Sequence, residues 1–137
     1  MNTVRTIIFI AIIALLALGF YYVSQQAGPN VVTGTVSYME DVPLPPNSVV
    51  EMRLLNVSLI DVESQVLSEQ TIYPNGKNMP LPFSLKYRAS NIDASSTYSV
   101  AARVLVNGSL AWVTTQTYPV ITNGYPMTAE VYMTDVR

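Results

Sequence analysis

The residues able to do chemistry in this chain are few, and nearly all are carboxylates. Glu40 and Asp41 are adjacent, and Asp61 and Glu63 flank Val62. Carboxylates at i, i+2 in a loop can contribute oxygen ligands to a Ca²⁺ ion. The Asp/Asn-rich loop with a hinge glycine and a closing glutamate is missing, so solvated loop charges account for both pairs. Lys86 and Arg88 flank Tyr87, two charges where a nucleic-acid or lipid surface takes several more. Two Asn-x-Ser sequons, Asn56-Val57-Ser58 and Asn107-Gly108-Ser109, would accept a glycan only in a host that glycosylates them.

Histidine and cysteine do not occur. Zinc, haem and iron–sulfur sites thereby lose their usual ligands. His-based triads and cysteine nucleophiles are excluded as well. A net charge of −2 and a pI near 4.9 argue against nucleic acid as a partner. The expectation is a protein that is not an enzyme and has no cofactor, no metal and no evident small-molecule substrate.

The 137 residues allow one domain of ordinary size. Only 12% are charged, about half the usual ~25%, and the shortage is concentrated at the start. Arg5 is the only charged side chain before Glu40. From Thr6 to Val23 no charge occurs, and Ile7, Ile8, Phe9, Ile10, Leu15 and Leu16 lead to Phe20, Tyr21 and Tyr22. As a helix this stretch would span roughly 27 Å, close to the ~30 Å of a bilayer's hydrocarbon layer, with its aromatics at the interface. Residues 1–23 are therefore expected to be a transmembrane anchor, with a cytoplasmic N-terminus by the positive-inside rule. The rival is a cleaved signal peptide at Ala17-Leu18-Gly19, but cleavage there would leave an exposed apolar tail. Residues 24–30 read as a linker, and 31–137 as an exported domain holding six basic side chains against all nine acids.

From Val31 onward the hydrophobic period is two. Strands are expected at Val31–Tyr38, Ser48–Leu59, Gln65–Tyr73, Leu81–Tyr87, Thr97–Val106, Ser109–Thr117 and Met127–Val136. Gly34 marks a bulge or close contact. The apolar phase of the second strand changes at Leu54/Leu55, which requires a bulge there. Asn107-Gly108 signals a type I′ hairpin. Pro80 and Pro82 suggest an edge strand. The expected fold is all-β, a sandwich of about seven strands of immunoglobulin or transthyretin-like type behind one helix. Tyrosines and prolines at exposed edges and loops offer contact area at low entropy cost. Tyr118, Pro119, Tyr125, Pro126, Phe83 and Tyr87 are the candidate partner-binding residues.

The motifs Gly34-Thr-Val-Ser-Tyr38, Leu44-Pro-Pro46 and Val49–Ser58 come first. Met79-Pro-Leu-Pro-Phe-Ser-Leu-Lys-Tyr87, Ile92-Asp93, Tyr98–Arg103 and Tyr118-Pro-Val-Ile-Thr122 follow. In that order the chain resembles the YbaY/YscW family. The resemblance implies a bacterial envelope β-sandwich without catalytic residues. Many members are lipoproteins, and one branch holds the pilotins that help place type III secretion secretins. This chain has Leu16-Ala17-Leu18-Gly19-Phe20 where a lipoprotein signal would end in cysteine. The departure directs the expectation toward anchoring by the helix: a single-pass inner-membrane protein, its domain periplasmic, serving as an accessory subunit of a larger membrane complex. The alternative is a pilotin-like assembly chaperone for an exported envelope or secretion client.

Overall fold

The computed structural model describes residues 3, 7, 8, 10–15, 30–58 and 63–137. Among them the strands are β1 (Val31–Tyr38), β2 (Ser48–Asn56), β3 (Gln65–Ile72), β4 (Leu81–Lys86), β5 (Tyr98–Val106), β6 (Ser109–Val113), β7 (Pro119–Val120) and β8 (Thr128–Asp135), with a single 3-10 turn at Ala89–Asn91. Alternation builds the core. Along β4, Leu81, Phe83 and Leu85 are buried while Pro82, Ser84 and Lys86 are exposed. Val50, Met52 and Leu54 of β2, Val100, Ala102 and Val104 of β5, and Val131 and Met133 of β8 join them inside. Fully burying one such side chain contributes roughly 1.5–3 kcal/mol.

The strands form one sheet in the order β3-β2-β5-β6-β8-β1-β4, with β7 added on β5. Neighbours are antiparallel except β1 and β8, which run parallel. The two ends of the sheet approach each other. The Ser84 N–H on β4 donates to the Gln70 side-chain carbonyl on β3 at 2.8 Å. The all-β expectation holds, but the arrangement is a nearly closed, barrel-like sheet of eight strands. The reason is that β6 pairs with β8 and joins the two halves, and that the 118–126 segment contributes the short strand β7.

The expected transmembrane helix is not supported. Ile7, Ile8 and Ile10–Leu15 are helical and exposed, and among the described residues no helix is long and apolar enough to cross a membrane. The other anchor residues, Phe9, Leu16, Phe20, Tyr21 and Tyr22, and most of the 24–30 linker lie outside the described residues, as does Asp61.

Two register slips adjust which side chains face inward. The β2/β3 ladder shifts at Leu54/Leu55: Leu54 pairs with Ser68 and Leu55 with Val66. The extra residue is therefore Leu67 on β3, whereas β2 keeps step with β5 through Leu54↔Val100 and Leu55↔Ser99. Leu67 and Ile72 have opposite parity in the chain, yet the bulge lets both pack on the core. The second slip lies between β5 and β6, where Val104 pairs with Trp112 and Leu105 with Leu110. It leaves Ala111 outside the ladder, so Ala111 and Trp112 are buried in succession. Trp112 stacks on Tyr38, ring centroids 4.6 Å apart and 12° from parallel. The hairpin at Asn107-Gly108 has positive φ at both residues, 51° and 81°, as a type I′ turn requires.

Gly34 sits where β1 passes closest to β8. It pairs with Ala129, and a Cβ built on it would overlap the Ala129 carbonyl. The obstacle is backbone on both sides, and neither strand can move without disturbing its ladder. Gly34→Ala is expected to destabilise the domain by about 3 kcal/mol, the upper end for overpacking. A fall in the urea unfolding midpoint without change in slope would measure it; an unchanged midpoint would contradict the close contact.

Candidate functional site

The segment after β7 carries the most unusual backbone among the described residues. Ile121 has φ of 75°, and the Thr122 N–H donates to the Val120 carbonyl at 2.9 Å. Together these define the γ-turn of the rare, strained kind, centred on a β-branched residue. Three bonds hold it there. The Ile121 N–H donates to the Pro126 carbonyl at 3.1 Å, the Tyr125 N–H to the Thr122 carbonyl at 3.0 Å, and the Thr122 hydroxyl to the Ser96 carbonyl at 2.6 Å. Strain of this kind costs about 1–3 kcal/mol and persists where the surroundings over-determine it.

Ile121 forms part of the wall of a groove of about 460 Å³, which Tyr87, Ile92 and Met127 line with two alanines and the polar Asn30, Thr122 and Asn123. The Tyr87 hydroxyl lies 3.6 Å from the Met127 sulfur, and burial pushes its pKa up. The six sequence-derived candidates are spread unevenly around this place. Tyr87 lines the groove, and Tyr125 and Pro126 are exposed on the same loop. Pro119 is half-buried in β7 opposite Ser99. Tyr118 is committed to the fold: its N–H donates to the Ser99 hydroxyl at 2.9 Å, and its own hydroxyl bonds both the carbonyl and the N–H of Tyr132, at 3.0 and 2.9 Å. Phe83 is only 3% exposed and faces the core, because an edge strand still has an inner face. Ile92, Ile121 and Met127 were missed by the sequence reading. Their spacing carries no signal, since Ile92 comes from the β4–β5 connection and Ile121 and Met127 from opposite ends of the β7–β8 connection.

On the opposite flank Arg137 covers Trp112. Its guanidinium carbon lies 4.1 Å from the ring centroid. Nε and Nη2 reach the two Asp135 carboxylate oxygens at 3.1 and 2.9 Å. These bonds, with the Arg137 backbone N–H at 2.9 Å, lower the Asp135 carboxyl from its ordinary 3.8 to about 2. Glu40, Asp41 and Glu63 are exposed, and among the described residues no group of three acidic side chains is placed to hold a metal ion.

The family described as type III secretion system lipoprotein chaperone (YscW) matches residues 28–133. The chain belongs to the YscW family. The uncharacterized lipoprotein YbaY of Escherichia coli (strain K12) is 33% identical over 96 residues, covering 70% of this chain and 50% of that protein. The chain thus spans about half the length of the curated relative it matches. An alternative pilotin from the type II secretion system of Vibrio cholerae superposes with a TM-score of 0.75 at 38% identity, over 78% of this chain and 96% of the other. The resemblance read from the ordered motifs is therefore borne out.

Two expectations are overturned. The accessory-subunit reading gives way because the YscW family is one of secretion chaperones and the solved neighbour is a pilotin. The single-pass inner-membrane location gives way because the relatives are lipoproteins and no described helix is long and apolar enough to cross a membrane. Both rested on treating an uncharged N-terminal stretch as a span.

Two predictions follow from the geometry. At Ile121 the usual order of helpful side chains inverts. Ile121→Gly is expected to be more stable than Ile121→Ala by about 1 kcal/mol, since only glycine adopts positive φ without steric cost. Urea titration of both variants measures the difference, and an alanine variant equal to or better than the glycine one would refute the strain. The second concerns acid. A carboxyl whose folded pKa lies below its unfolded value stabilises the fold above the unfolded pKa, and this is lost as pH falls through the folded one. Asp135 therefore contributes above about pH 4, and the contribution disappears toward pH 2. Asp135→Asn is expected to lower the unfolding midpoint at pH 7, with the gap to the native chain closing as the pH is lowered from 4 to 2. A gap independent of pH would count against the ion pair.

Proposed function

We propose that this chain is a non-catalytic, pilotin-like assembly chaperone of the bacterial envelope, which binds an exported secretion or envelope client and supports its assembly. The reading is carried by the match to the type II pilotin over nearly that protein's whole length, and the YscW family description supports it. Residues 31–137 are the working unit in this reading. The groove of Tyr87, Ile92, Ile121 and Met127, with exposed Tyr125 and Pro126 beside it, is the surface offered to the client. A mostly apolar groove that includes the Tyr87 ring suits a short amphipathic segment, since buried aromatic and aliphatic anchors supply most of the affinity in such contacts. The lipoprotein description belongs to the relatives; these 137 residues hold no cysteine to carry an acyl chain.

Deletion of the gene tests the function. One exported, multimeric envelope protein is expected to fall in the outer-membrane fraction while its total synthesis stays constant. Re-expression of the native chain restores it, and a chain carrying Met127→Asp and Tyr125→Ser restores it poorly. An outer-membrane proteome indistinguishable from the parent would sink the chaperone reading.

A further inference from the structure

The Arg137 contact is more than a surface ion pair. An exposed pair usually contributes little and needs no aromatic platform. Here the guanidinium sits over the ring of the chain's single tryptophan, is held bidentately by Asp135, and feels the additional negative charge of Glu40. All the groups that hold it belong to the folded sheet or adjoin it. Trp112 is on β6 and is backed by Tyr38 of β1, and Asp135 closes β8. Arg137 itself lies beyond the last strand, and its side chain is 47% exposed. It can leave without breaking a ladder, and the platform and carboxylate would remain.

A cavity of about 430 Å³ shares Tyr38 and Glu40 with this place and continues along Met39, Asp41 and Val42 to Asn78. Met39 is 81% exposed. Two acidic side chains, Glu40 and Asp41, thus stand between apolar Met39 and Val42 along a concave surface that begins at Tyr38, the ring behind the tryptophan. An aromatic face with a bidentate carboxylate recognises a planar cation far better than a point charge.

We propose that Trp112, Asp135 and Glu40 form an exchangeable arginine site, filled in the free protein by the chain's own Arg137 and taken in a complex by an arginine of a basic partner segment lying along Met39–Val42. The partner role rests on the chaperone reading; the site itself does not. Arg137 acts as an internal competitor that keeps the platform covered until a better-placed arginine displaces it. A tethered competitor acts at an effective concentration on the order of millimolar, so only a segment with further contacts in the adjoining cavity would win.

The single tryptophan makes the site directly readable. The full chain is titrated with N-acetylarginine amide, following Trp112 fluorescence, in the native form and as Arg137→Ala and Arg137→Gln. Saturable changes are expected in both variants, with the native chain needing about tenfold more ligand because of its tethered competitor. N-acetyllysine amide binds more weakly, and adding Asp135→Asn to Arg137→Gln abolishes the response. The glutamine variant keeps the aliphatic stem over Trp112 should the alanine variant unfold. In the native chain the Arg137 Nε–H resonance, followed by NMR, is expected to shift with the arginine ligand and not with the lysine one. A folded Arg137→Gln chain without saturable binding, an unchanged response with Asp135→Asn, or an Arg137 resonance indifferent to arginine would each overturn the proposal. Failure here removes the arginine site alone, whereas failure of the chaperone reading is seen in the outer-membrane fraction of the deletion strain.

Discussion

The sheet is held in one piece by a ladder of two residue pairs. Trp112↔Asp135 and Val113↔Thr134 are the whole β6–β8 register, and without them β3-β2-β5-β6 would part from β8-β1-β4. So short a ladder is weak, and the surrounding side chains extend it. The Ala111 carbonyl, freed by the bulge, accepts the Val136 N–H at 2.9 Å. Thr115 and Thr134 hydroxyls meet at 3.2 Å, and Tyr118 closes on both backbone polar groups of Tyr132. Trp112 stacks across the seam onto Tyr38. Its indole N–H finds no acceptor, a cost of about 1–3 kcal/mol that packing across the seam must exceed. The bulge at Ala111 is the device behind this: one residue out of register supplies a carbonyl to the seam and turns the indole inward.

Much of this was legible in the sequence, for definite reasons. Strict alternation in Leu81–Lys86 and Tyr98–Val106 marks half-buried strands. Asn-Gly at 107–108 admits few conformations other than the hairpin, and Gly34 in a β-branched run indicates a close approach. The bulge opposite Leu54/Leu55 was also visible, but the strand that bears it was not. A phase change reports that one extra residue exists between two neighbours, and β2 and β3 explain it equally well until both registers are known. The same limit misplaced Phe83. Prolines flanking a strand report an edge, which concerns backbone hydrogen bonds, and say nothing of which face its side chains take.

The candidate groove was far less legible. Ile92 follows the 3-10 turn, Ile121 occupies a γ-turn and Met127 precedes β8, so no period connects them. The motifs that carry the family resemblance account for the fold instead. Gly34 lets β1 meet β8. The Tyr98 hydroxyl accepts the Asp93 N–H at 2.8 Å, fixing the connection before β5, and Arg103 pairs with Glu51 across the outer face. A signature made of such residues identifies a scaffold, and under the proposed function client choice would fall to the loops it presents.

The edges of the scaffold explain why loops are left with that task. A nearly closed sheet still has two end strands, and an open edge invites addition of a foreign strand. On β4, Pro82 has no N–H to offer, Ser84 gives its own to Gln70 of β3, and Lys86 is exposed with its charge in solvent. A client strand entering at this edge would have to displace Gln70 and desolvate Lys86. The groove beside Ile121 asks for neither, because the Ile121 and Thr122 N–H groups are already bonded within the turn. In the proposed chaperone role, side-chain contacts would have a physical advantage over an added strand: they form and break without unzipping a ladder of backbone hydrogen bonds.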